Sequence, residues 1–169
     1  MSRLIVIVAA LLFGAPGHAF AANTVPLRAL DDPRALPRIT LADSHGEPHA
    51  IQTRAGAVTV LHFWATWCLP CVKELPALQA LPSRVGDCEL DVVTVAADRR
   101  DEVRNFAASH ALDLRILIDQ YGEAMHALRV RAFPETQVAD SRGRIRLAAT
   151  GVVDWRDATT QAQLKGLCG

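Results

Sequence analysis

The sequence lacks an excess of either charge, a second CxxC motif, a membrane-length apolar run and any repeat. Lysine plus arginine equals aspartate plus glutamate at 18 each, which gives no footing for a nucleic-acid partner. Of four cysteines only Cys68 and Cys71 stand in CxxC spacing, so the paired motifs of a structural zinc site are missing. The absence of internal repeats and low-complexity tracts excludes a repeat array. The apolar run Leu4 to Phe13 is ten residues long, against the roughly 20 that a membrane-spanning helix needs. What is there fits a soluble globular protein: 50% of the 169 residues are hydrophobic and 21% charged, enough for one domain with a sizeable core.

The N-terminus has the order of an export signal. Arg3 supplies a minimal positive region, Leu4 to Phe13 the apolar one, and Gly14, Pro16 and Gly17 break it. Ala19-Phe-Ala21 then offers a cleavage site, so residues 1–21 read as a signal peptide removed after Ala21. The competing reading, an uncleaved anchor formed by residues 4–13, is disfavoured by the length of the run. Export points to the periplasm, a compartment where disulfides persist.

Residues 22–38 carry Pro26, Pro33 and Pro37 among charges without periodicity, and read as an extended lead-in over the surface of a domain spanning 39–169. Ile39–Leu41 and His49–Ile51 form a short hairpin turning at Gly46. Val58 to Trp64 is an apolar, β-branched run, as a buried strand requires. Val72, Leu75, Leu78 and Leu81 recur every three residues and mark a helix, which Pro76 should kink. Leu90 to Ala96 is a second buried strand, and Asp98 is placed to cap a helix with Val103, Phe106, Ala107 and His110 on one face. A strand at Leu114–Ile118 and a short helix through Tyr121, Ala124, Met125 and Leu128 follow. Thr136–Ala139 and Arg144–Ala149 are joined at Asp140-Ser-Arg-Gly143, a hairpin signal, and Asp154 is placed to cap a last helix. Strands alternating with helices, then a hairpin and a closing helix, give an α/β fold with a central mixed sheet flanked by helices.

The chemistry concentrates at Cys68-Leu-Pro-Cys71, where a strand hands over to a helix. The first cysteine lies beside the free N–H groups and positive dipole end of that helix, which favours its thiolate. Two intervening residues let both sulfurs meet within one turn and open or close a disulfide. Trp64 and Trp67 flank the motif; Trp64 reads as core, whereas Trp67, next to the nucleophile, faces a substrate. Glu74, three residues beyond Cys71, shares its helix face and is the first choice to accept the Cys71 proton; the alternative is a solvated or capping carboxylate. Cys88 and Cys168 are left over, and two readings stay open for them: a structural disulfide in an exported protein, or two separate free thiols. His18, His45, His49, His110 and His126 show no ligand spacing, so no metal site is expected.

On these residues the chain resembles the thioredoxin superfamily, and within it the exported TlpA-like disulfide reductases, including the DsbE type of cytochrome c maturation. The resemblance is carried by Phe63-Trp-Ala-Thr-Trp-Cys-Leu-Pro-Cys71, Glu74 and Pro76, then Val130-Arg-Ala-Phe-Pro-Glu-Thr136, Asp140, Gly143 and Gly151. It implies a thioredoxin fold with an N-terminal hairpin and a central insertion between Asp98 and Ile118. It also implies that Pro134 is cis and faces the CxxC, where Phe133 offers backbone groups to an extended substrate. The buried acid of thioredoxins would align with His62, which is either a proton acceptor or a neutral core histidine. Leu69-Pro70 replaces Gly-Pro between the cysteines, residues that face the substrate and tune the potential.

The implied activity is thiol–disulfide exchange through a Cys68–Cys71 dithiol, with no cofactor beyond that redox-active disulfide. The expected partners are thiols or disulfides of exported proteins, apocytochrome c among them, with a membrane thiol relay as electron donor and the enzyme a monomer. An oxidase or isomerase working in the opposite sense and a CxxC copper-delivery module are the competing classes. A peroxidase is weaker, because the P-x-x-x-T-x-x-C arrangement is absent before Cys68.

Overall fold

The computed structural model describes residues 23–54 and 56–168. The expected signal peptide, residues 1–21, lies outside the described residues. In chain order the elements are β1 (Arg28–Ala35), β2 (Ile39–Asp43), β3 (Pro48–Ile51), β4 (Val58–Trp64), α1 (Leu69–Gln79), α2 (Leu81–Val85), β5 (Leu90–Ala96), α3 (Arg100–Ser109), β6 (Arg115–Ile118), α4 (Glu123–Leu128), β7 (Glu135–Ala139), β8 (Arg144–Thr150) and α5 (Ala158–Lys165).

The eight strands form one mixed sheet in the order β1-β8-β7-β4-β5-β6-β2-β3. β4 is central and every one of its residues is buried, which is why its sequence is a continuous apolar run rather than an alternating one. It pairs parallel with β5 and antiparallel with β7, bringing Trp64 opposite Ala96 and Phe63 opposite Glu135. Successive residues of β4 point to opposite faces. Val58, Val60 and Trp64 join one core with Leu75 and Leu78 of α1, Leu81 and Val85 of α2, Val103 of α3 and Leu164 of α5. Leu61 and Phe63 join the other, with Val93, Val95, Leu117 and the α4 residues Ala124 and Leu128. Four helices therefore cover one face and α4 the other. The α3-β6 segment between Asp98 and Ile118 widens the sheet by one strand, parallel to β5.

Three expectations need correction. Residues 28–35, read as a lead-in outside the domain, form edge strand β1, antiparallel to β8, with a register shift between Ala29 and Arg34. The segment lacks alternation because an edge strand is half solvated, and Pro33 sits in the irregular stretch, where no ladder N–H is needed. Asp98 does not cap α3: the N-cap position is Arg99, which makes no side-chain capping bond. Asp154 does not cap α5 either. It accepts from the Arg156 amide in the preceding turn, and Asp157 caps the helix by accepting from the Thr160 amide at 2.9 Å. The three-residue delay comes from Trp155, which is buried and holds that turn against α1.

Cys88, before β5, and Cys168, after α5, are joined by a disulfide with Cα atoms 5.8 Å apart. It fastens an eight-residue helix, too short to persist alone, to the segment between α2 and β5. The crosslink closes 80 residues of sequence separation, so the Cys88→Ala/Cys168→Ala double variant should lose about 4 kcal/mol in urea melts. Exchange at the CxxC should be unchanged in that variant.

Candidate active site

The active-site motif sits where β4 ends. The Cys68 amide donates to the Ala65 carbonyl at 3.0 Å, closing a turn, and Cys68 then becomes the N-cap of α1. Its sulfur accepts from the Cys71 amide at 3.3 Å, so one of the unsatisfied N–H groups of the first helical turn already points at it. Pro70 lies in that first turn, where its missing N–H costs nothing. The two sulfurs form a disulfide with Cα atoms 5.3 Å apart. Cys68 is 6% exposed and Cys71 fully buried, so attack from outside reaches Cys68 first.

Around this narrow opening the surface is apolar. Trp67 and Leu69 are 68% and 70% exposed, an uncommon state for large hydrophobic side chains. Phe133 is partly buried and meets Trp67 edge-on with centroids 5.9 Å apart. The Phe133–Pro134 peptide bond is cis, and the Pro134 carbonyl accepts from the Gly151 amide at 2.8 Å, fixing this loop to the end of β8. Trp64, by contrast, is wholly buried and packs on Phe106, with centroids 5.5 Å apart.

Glu74 lies beneath. It is 3% exposed, and its Oε1 accepts from both the Val153 amide and the Trp155 indole N–H, each at 2.9 Å. Its Oε2 is buried with no hydrogen-bond partner. Burial pushes its pKa from 4.5 up to about 7, the two donated bonds only partly offsetting the desolvation. Val153 and Trp155 stand nearly 80 residues away in sequence, and nothing local to Glu74 announces them; the signal available was a tryptophan in an otherwise polar turn. A cleft of about 470 Å³, lined in part by Lys73, Glu74, Trp155 and Arg156, opens beside the carboxyl group.

His62 lies on β4, two residues from Val60 and Trp64 and so on the face that carries Cys71. Its Nδ1 is 3.1 Å from the Thr136 hydroxyl and its Nε2 is buried without a partner. Complete burial lowers its pKa to about 3, so the ring is neutral. The structure thus brings Cys68, Cys71, Glu74, Trp67, Leu69, Pro70, Phe133 and Pro134 to one end of the sheet, with His62 in the layer behind and Cys88–Cys168 on a separate crosslink.

A disulfide that closes the first turn of a helix leaving the central strand of a mixed sheet, faced by a cis-proline loop, defines a thiol–disulfide oxidoreductase of thioredoxin-like fold. Residues 34–148 match the model of the AhpC/TSA family, and the chain belongs to that family. It is 33% identical over 132 residues to the thioredoxin-like protein YneN of Bacillus subtilis, covering 76% of each chain. It is 28% identical over 149 residues to the thiol-disulfide oxidoreductase ResA of Geobacillus thermodenitrificans, covering 87% of this chain and 86% of the relative. Among solved structures, StoA of Bacillus subtilis superposes with a TM-score of 0.58 at 27% identity, covering 84% of this chain and all of that one. A thiol:disulfide interchange protein DsbE from Chlorobium tepidum shares the fold, with a TM-score of 0.74 at 22% identity over 83% of this chain and all of that one.

Proposed function

We propose that this oxidoreductase works in the reducing direction on exported proteins, with apocytochrome c thiols of the CxxCH type among its substrates. The observation that supports this direction best is the buried carboxyl group of Glu74 on the helix that carries both cysteines. A strong oxidant of this class stabilises its reduced form. Here the first turn of α1 supplies only the helix dipole, and an ionised Glu74 opposes negative charge on the nearby sulfurs. The Cys71 thiolate, buried on the helix face that carries Glu74, is thereby disfavoured, so closure to the disulfide is favoured once Cys68 has attacked, and electrons pass outward to the substrate.

In the reaction, the Cys68 thiolate attacks one sulfur of a substrate disulfide, forming a mixed disulfide and releasing the other sulfur as a thiolate that takes up a proton. Cys71 then gives its proton to Glu74, attacks the Cys68 sulfur and releases the reduced substrate. His62 is the weaker candidate for this step, because burial lowers its pKa to about 3 and favours the reading as a neutral core histidine. Trp67, Leu69, Pro70 and Phe133 form the apolar rim on which an extended substrate segment rests, with the Phe133 backbone pairing to it as a strand would. A membrane thiol relay in the periplasm returns the electrons to Cys68–Cys71.

The test is the equilibrium potential of the Cys68–Cys71 pair in glutathione and dithiothreitol buffers. A value below about −200 mV is expected; one near about −120 mV would overturn the direction and make the enzyme an oxidant.

A further inference from the structure

The turn that delivers Cys68 is held from outside its own segment. The bond from the Cys68 amide to the Ala65 carbonyl closes the turn Ala65-Thr66-Trp67-Cys68, a pattern that uses the first residue's carbonyl and the last residue's amide. The Thr66 amide needs a different partner. Asp98 provides it: Oδ2 accepts from Thr66 N at 2.6 Å.

Asp98 reaches this position because β4 and β5 run in parallel. Trp64 pairs with Ala96, the Ala97 amide donates to the Trp64 carbonyl at 2.9 Å, and the Asp98 carboxylate adds one further rung beyond the ladder. Its sequence position suggests a helix cap, yet its carboxylate is committed to the active-site turn and α3 starts without a side-chain cap. Bonds from a backbone amide to an ionised carboxylate are about twice as strong as neutral ones.

We propose that Asp98 is a positioning residue for the nucleophile, acting through the Thr66 amide to hold the turn that seats Cys68 at the amino end of α1. The seat matters because the thiolate is stabilised by N–H groups of the first helical turn, among them the Cys71 amide 3.3 Å from the Cys68 sulfur. That influence falls off within one turn, so a displaced loop loses it. The inference rests on Cys68 as the attacking group and holds whichever way the enzyme runs.

Three variants of the full chain separate the possibilities. Asp98→Ala removes the acceptor, and Asp98→Asn keeps an amide oxygen for Thr66. Thr66→Pro removes the donor at a turn position that proline favours. The probe is the rate at which the reduced protein forms a mixed disulfide with oxidised glutathione at neutral pH, with thermal melts to correct for the folded fraction. Asp98→Ala and Thr66→Pro should each slow the reaction about tenfold. Asp98→Asn should stay within about twofold of the parent. The combined Asp98→Ala/Thr66→Pro protein should be no slower than either single variant, because both remove the same bond.

A folded Asp98→Ala protein that reacts at the parent rate, with only its melting temperature lowered, overturns the proposal. Equal loss in Asp98→Asn and Asp98→Ala, or additive losses in the combined variant, also overturns it. If Asp98→Ala does not fold, Thr66→Pro decides: a parent-like rate sinks the idea and a slowed one supports it. A parent protein inert toward oxidised glutathione would instead remove Cys68 from the role of nucleophile.

Discussion

Cys71→Ser is expected to stop the reaction halfway, with substrate covalently held on Cys68. The first step needs only the Cys68 thiolate, which keeps its place at the amino end of α1 when Cys71 is replaced. The second step needs a sulfur at position 71, and a serine hydroxyl neither ionises near neutral pH nor attacks sulfur. Incubating this variant with a disulfide-bonded protein should therefore accumulate one mixed disulfide per molecule, visible by intact mass and lost on reduction. Cys68→Ser should lower turnover by at least roughly three orders of magnitude and trap nothing. The asymmetry follows from access, since Cys68 is 6% exposed and Cys71 not at all. Equal trapping in the Cys68→Ser protein would reverse the assigned roles.

Glu74→Gln should cost about a hundredfold in the rate of mixed-disulfide resolution above pH 7, with little change below it. In the parent protein the pKa raised to about 7 makes the group an acceptor only when ionised, so resolution should climb through that pH. Glutamine keeps an oxygen for the Val153 amide and the Trp155 indole, so the turn around residue 155 should survive. The same shift has a stability consequence of definite sign. The folded chain holds the Glu74 proton more tightly than the unfolded one, because burial penalises the charged form. This contribution is fully present below about 4.5, declines as the pH rises toward about 7, and is gone above it. Relative to the parent, Glu74→Gln should therefore gain melting temperature as the pH rises across that window. A constant difference between the two proteins from pH 4 to 8 would show that Glu74 does not titrate there.

The site reveals its chemistry by what it omits as well. The cysteines occupy a helix whose first turn carries no acidic side chain and whose last turn carries no basic one, so the dipole acts on Cys68 without local amplification. The Oε2 of Glu74 is buried without a hydrogen-bond partner, and burying an unpaired acceptor costs about 1–3 kcal/mol.

The sequence by itself determined whatever depends on neighbours within a few residues. The strand–helix junction at Cys68, the central strand, the hairpin at Asp140–Gly143 and the order of most elements could be read from periodicity and turn residues. In that turn Asp140 accepts from the Arg142 and Arg144 amides, and Gly143 takes the left-handed conformation its position requires. Only the tertiary structure decided which distant groups would compete for the same side chain. Asp98 and Asp154 both look like helix caps in isolation, but packing gave one to the active-site turn and the other to the loop that buries Trp155. Residues 28–35 have no strand pattern of their own and become a strand because β8 offers an open edge. The shift of the Glu74 pKa is likewise non-local, because the burial that raises it is completed by a turn nearly 80 residues away. Local propensity is a matter of the chain's own backbone and side chains, whereas desolvation and hydrogen-bond competition exist only once the layers have closed.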